Sequence, residues 1–182
     1  KKLLLILLCL PMIGFGQRTL DFSSYSELRN IDLQLVIPSG WKLMNVPNSF
    51  FLSSRDENAL MYVIDVWDHE PLLSTSEKLQ IKESFLDSDA REMWVQNLSA
   101  TYYPNNTTIK DQRFNLIDNT IHSLRVLIET DINGSPTEVV YWFFMHNNRS
   151  VLIGGSSSKN KSILSDEKIQ YLDNITNSIK IK

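Results

Sequence analysis

The stretch Val139-Val140-Tyr141-Trp142-Phe143-Phe144-Met145-His146 decides the fold. At the two-residue period of a strand, Val139, Tyr141, Phe143 and Met145 point one way, and Val140, Trp142, Phe144 and His146 the other. Both faces are apolar, so both must be covered. The neighbouring runs Ile109 to Leu116, Ile121 to Thr130 and Ser150 to Ser156 also read as strands. Short turns at Asp118-Asn119 and Asn133-Gly134 join them, which makes the set an antiparallel meander. The expected architecture is α+β: an α/β/α sandwich whose central antiparallel sheet carries a helix on each face.

Two segments supply the covers. Downstream of the meander, Ser165 can cap a helix that places Ile169, Leu172, Ile175 and Ile179 on one face. Upstream, Ala90, Met93, Trp94, Asn97, Leu98 and Thr101 recur at helical intervals from Asp87 until Pro104 ends the helix. Before it, Ser74 and Glu77 fit a capping box, but Leu79, Ile81 and Phe85 are loosely spaced and Pro71 lies close, so a short or irregular helix is expected. Further upstream, Ile31, Leu33, Leu35 and Ile37 alternate with Asp32, Gln34 and Val36 as a half-buried strand. Pro38-Ser39-Gly40 turns the chain into short strands at Trp41 to Val46 and Phe50 to Ser54. Arg55-Asp56-Glu57-Asn58 then makes a hairpin turn into a strand from Leu60 to Trp67.

At the start, Lys1 and Lys2 precede an apolar run from Leu3 to Phe15, and Gly14-Phe15-Gly16 puts small residues where a signal peptidase cuts before Gln17. As a helix the run would span about 20 Å, short of the roughly 30 Å hydrocarbon core of a bilayer. The reading is a signal peptide at 1–16, an N-terminal extension at 17–30 and one domain at 31–182. Export to the periplasm or the exterior follows, with no stable membrane insertion once the leader is removed. Cys9 is the single cysteine and lies within the leader, so the mature chain has neither disulfide nor thiol catalysis. Leu8 is too large for the position before a lipidated cysteine, which disfavours a lipoprotein. The net charge is −3 with no basic run, so nucleic acid is not expected as a partner.

Ile37-Pro38-Ser39-Gly40-Trp41 after an alternating strand, the aromatic Tyr141-Trp142-Phe143-Phe144, the small residues of Leu152-Ile153-Gly154-Gly155-Ser156 and the ending Ser178-Ile179-Lys180-Ile181 together resemble the PsbP-like proteins. The likeness runs from about Ile31 to the end. That family includes the lumenal extrinsic subunit of photosystem II, a factor that binds the Ran GTPase, and many exported bacterial proteins without an assigned role. The resemblance implies an α/β/α sandwich. Its motifs are turn and core residues, and it transfers no catalytic or binding set.

Asp65, Asp68, His69 and Glu70, with His122 or His146, are the densest possible metal ligands. Along an extended strand, however, Asp65 and His69 stand about 13 Å apart, too far to share one ion. A solvated strand end is the simpler account, and structural imidazoles are the simpler account of His122 and His146. Gly154-Gly155-Ser156-Ser157-Ser158-Lys159 lacks the spacing of a nucleophile elbow or a phosphate loop. It reads as small residues that let the strand exit and the chain turn toward the last helix. No catalytic residue, cofactor or metal site is assigned. Trp67, His69, Tyr102 and Tyr103 remain as candidate exposed binding residues. The functional expectation is an exported, non-enzymatic binding or accessory domain for a protein partner or an envelope complex. The alternatives are a carrier holding a small apolar molecule or lipid between sheet and helix, and, less favoured, a metal-dependent hydrolase.

Overall fold

The computed structural model describes residues 17–29, 31–46, 49–54, 59–68, 72–102, 107–132, 134–157 and 163–182. The fold is α+β. Among the described residues, seven strands form the main antiparallel sheet in the order β3 (Lys42–Val46), β4 (Ser49–Ser53), β5 (Leu60–Asp68), β9 (Arg149–Ser157), β8 (Ser135–His146), β7 (Ile121–Ile132) and β6 (Thr108–Ile117). The turn residues Asp118 and Asn119, and Asn147 and Asn148, all have positive φ, the backbone that tight hairpins require and that Asn and Asp tolerate best. The turn expected at Arg55 to Asn58 lies outside the described residues.

β8 behaves as its alternation requires. Val140, Trp142 and Phe144 enter one core with Tyr62, Ile64, Leu172 and Ile175. Val139, Tyr141 and Phe143 enter a second core with Phe85, Val95 and Leu98. The first core is covered by α3 (Asp166–Asn177), capped by Ser165, whose hydroxyl accepts from the Lys168 N–H. The second is covered by α1 (Thr75–Ser84) and α2 (Ser88–Tyr102).

Four details depart from the sequence expectation. First, α1 is a regular helix. Its capping box is complete, with Ser74 Oγ accepting from the Glu77 N–H at 3.3 Å and Glu77 Oε2 accepting from the Ser74 N–H at 2.8 Å. The same contacts with Ser74 hold the Glu77 carboxyl below its usual pKa.

Second, the buried stripe of α2 is rotated from the expected one. Val95, Leu98 and Ser99 are buried and Trp94 half-buried, while Met93 is 65% exposed. The reason is the docking of Trp94 against Phe143, with ring centroids 5.4 Å apart. That contact turns the 95–99 side inward.

Third, the segment read as an extension is woven into the fold. Arg18–Asp21 forms β1 and pairs with β2 (Leu33–Ile37), and β10 (Lys180–Ile181) pairs on the other side of β2. Leu20, Phe22 and Leu28 lie in the first core. This small sheet shares the cover of that face with α3. Lys182 reaches back to Asp21 and to the Asp32 carbonyl, which fastens the arrangement.

Fourth, Gly154 and Gly155 lie inside β9, opposite Tyr141 and Val140 of β8, and not at its exit. A Cβ at Gly155 would stand 2.9 Å from Leu172 Cδ1, so glycine there lets α3 close onto the sheet. Gly155→Val is expected to lower stability by about 1–3 kcal/mol even though valine suits a strand, because the fully buried Leu172 side chain would have to shift out of its packing. A chemical denaturation cycle with Leu172→Ala should show the two losses adding to less than their sum. Strict additivity would contradict this account.

Candidate functional site

Of the four candidate binding residues, Trp67 and Tyr102 are brought together, and His69 and Tyr103 lie outside the described residues. Trp67, near the end of β5, stacks on Phe143 with centroids 6.2 Å apart and planes at 28°, and its outer side meets Tyr102 at 5.9 Å. On the far side Phe143 meets Trp94 and Phe85, which completes a run of rings from the surface into the second core. Tyr102 is the outer rung at 38% exposure. Partial burial, then the Asp65 carboxylate, raise its phenol pKa. Tyr102, Asp65, Val139 and Leu152 line a cleft of about 160 Å³ beside this run.

Deeper in the second core the Tyr141 hydroxyl lies 3.2 Å from Ser99 Oγ. Burial pushes the Tyr141 phenol up to about 12, against the lowering effect of the Ser99 contact. In the first core, burial raises Tyr62 as well, although it bonds Thr176 Oγ1 at 2.8 Å. A phenol whose folded pKa is raised keeps its full contribution to stability below its ordinary value of 10 and loses it as pH climbs through about 12. Tyr141→Phe should therefore make the alkaline loss of stability shallower across that window, measured as the denaturation midpoint at stepped pH. An unchanged slope would refute the assignment.

Among the described residues, those considered as metal ligands do not converge. Asp68 accepts from Arg149 Nε at 2.9 Å, with Arg29 nearby at 3.9 Å. His146 Nε2 lies 2.7 Å from Asp32 Oδ1, and His122 Nδ1 lies 3.2 Å from the Lys82 carbonyl. Phe114 meets the His122 ring edge-on. Among the described residues, no group of three or more His, Cys, Asp and Glu side chains could hold a metal ion. His69 and Glu70 are outside the description.

Two arrangements escaped the sequence reading. One is a buried ion-pair knot: Arg125 on β7 donates through Nε to Asp173 Oδ1 at 3.0 Å and through Nη2 to Oδ2 at 3.2 Å. Arg125 Nη1 also reaches Asp111 at 2.7 Å, and Arg113 reaches Asp173 at 3.2 Å. The other is a cleft of about 350 Å³ where α1 passes the β8–β9 turn, with Lys78, Lys82, His146 and Asn148 on its walls and Ile121 and Met145 as its apolar part. The Lys78 and Lys82 spacing, one helical turn, was the available signal for it. On the first-core side the space between the sheet and α3 is filled by Trp142, Tyr62, Phe144 and Leu172, all fully buried. The described clefts lie at the periphery.

No protein-family model matches the sequence, and no curated protein matches it. Among solved structures, the chain is similar to the cyanobacterial PsbP protein (CyanoP) of Synechocystis, with a TM-score of 0.59 at 8% identity over 94% of this chain and 96% of that one. It is also similar to a protein of Bacteroides thetaiotaomicron, with a TM-score of 0.55 at 10% identity over 92% of this chain. The chain spans 48% of that protein's length. At such identities the likeness is one of fold. The architecture implied by the PsbP-like resemblance is the architecture observed.

Proposed function

We propose that this chain is an exported, non-enzymatic binding domain of the PsbP-like kind, acting as an accessory factor for a protein partner or an envelope complex. The observation that carries the proposal is the helical layer. α1 contains no buried residue, and Leu72, Leu79, Leu86 and Met93 around it are 53–74% exposed. A single exposed leucine needs no explanation; these four exposed apolar side chains between residues 72 and 93 are the surface this proposal gives to the partner. Export rests on the Lys1-Lys2 and Leu3 to Phe15 leader pattern. Among the described residues, no helix is long and apolar enough to cross a membrane.

The test places a photo-crosslinking residue at 79 or 93 of the full chain, with position 170 on α3 as control. Defined protein adducts from 79 and 93 but not from 170, weakened by Leu86→Ser, are expected. Equal labelling from all three positions, or none from any, would remove the proposal.

A further inference from the structure

We infer that β6, the outermost strand of the main sheet, pairs antiparallel with β6 of a second copy of this chain, about a two-fold axis at Gln112. The inference goes beyond the binding reading above and uses none of the side chains between 72 and 93.

Among the described residues no strand lies on the outer side of β6, so the outward N–H and C=O groups of Thr108–Ile117 have no strand partner there. Charged side chains commonly guard such an edge, but here they are drawn back over the α3 face of their own sheet. Lys110 Nζ pairs with Glu129 and with Glu138, each at 2.7 Å. Asp111 accepts from Arg125 at 2.7 Å, and Arg113 donates to Asp173 at 3.2 Å. Asn115 Nδ2 donates to Asn177 at 3.2 Å. A bulge between Ile109 and Asp111 lets the consecutive residues Lys110 and Asp111 both take part.

Charge order selects the occupant. Asp111, Arg125, Asp173 and Arg113 form an open chain of alternating sign. Its two ends, Asp111 and Arg113, have side chains 48% and 55% exposed, which leaves each room for one more opposite charge. They stand two residues apart on the same face of β6. In an antiparallel pair centred on Gln112, Asp111 falls opposite Arg113 of the second copy, and Arg113 opposite its Asp111. One symmetry operation thus answers both ends. Centring the pair on Asp111 or on Arg113 would set like charges opposite each other. On the α1–α2 face the bulge passes over Lys110, so the exposed Ile109 falls opposite Phe114 of the second copy, and this apolar pair also occurs twice. An unrelated strand would need a base, a spacer and an acid in the complementary order; β6 already carries them.

Sedimentation of the full chain over a range of concentrations should show a monomer–dimer equilibrium. Amide exchange along 109–116 should slow as the dimer forms, while β3, at the other edge of the sheet, should keep its rates. Asp111→Asn and Arg113→Gln each remove both inter-copy ion pairs without adding a like charge, and each should weaken dimerisation by about tenfold. An equimolar mixture of the two variants re-forms one ion pair per mixed dimer, so it should associate more tightly than either alone. Melting temperatures near the parent's identify the variants as folded, and the mixture reads the pairing even if one variant is less stable. The inference fails if the chain stays monomeric up to about 1 mM, if neither variant weakens the dimer, if mixing restores nothing, or if protection appears at β3 and not at β6. The crosslinks at 79 and 93 report on the helical layer, so this inference can fail while the binding proposal stands.

Discussion

Asp173→Ala should lower the stability of the chain by about 3–5 kcal/mol, because it strands the buried Arg125 guanidinium. Arg125 and Asp173 are 3% and 5% exposed, and their two parallel hydrogen bonds join β7 to α3. Removing one partner leaves a desolvated charge with only Asp111 at the rim to answer it. Replacing both, as Arg125→Met with Asp173→Leu, should recover most of the loss, since the cost lies in the orphaned charge and not in the missing attraction. Urea denaturation of the single and double variants decides the matter. A loss under about 1 kcal/mol for Asp173→Ala, or a double variant as unstable as the single, would show that the knot is solvated and weak.

The second large effect is expected at Phe143. Its ring lies between Trp67 and Trp94 and meets Phe85 edge-on, at 2% exposure. Phe143→Ala should cost about 3–5 kcal/mol, as truncation of a buried aromatic generally does. Tyr102→Ala, at the solvent end of the same run, should cost about 1 kcal/mol, the scale of one aromatic pair. Near-ultraviolet circular dichroism should register the first change through both tryptophans and the second through Trp67 alone. Similar losses from both variants would mean that the outer rung carries as much packing as the centre.

The main sheet was legible because its signal is local. Residues 139–144 alternate between two cores, and no packing detail can alter which side each faces without reversing all of them. The α3 stripe was legible for the same reason, with Leu172 and Ile175 buried as its spacing required, but the helix ends at Asn177 and Ile179 is buried beyond it, just before β10. The α2 face was harder. Met93 and Val95 flank Trp94, and sequence alone does not say to which side the large ring will lean; its contact with Phe143 settles that. The ion-pair knot was invisible because Arg125 sits inside a strand and Asp173 inside a helix far along the chain, each reading as an ordinary solvated charge. The small sheet escaped because β10 is only two residues long, too short to show any period. The pair Trp67 and Tyr102 was anticipated as exposed, yet Trp67 is half-buried in the ring stack, since a strand end can be covered by a helix that approaches from elsewhere.

The pairing of β2 with β1 on one side and β10 on the other has a kinetic corollary. Gln34 meets Asp21 after a short loop but meets Lys180 across nearly the whole polypeptide. Closing so long a loop carries the greater entropic barrier, so this contact joins a structure already largely assembled. During folding Leu33 and Gln34 wait with one flank open until β10 arrives. A quenching probe at Ile181 would report the slowest step of refolding.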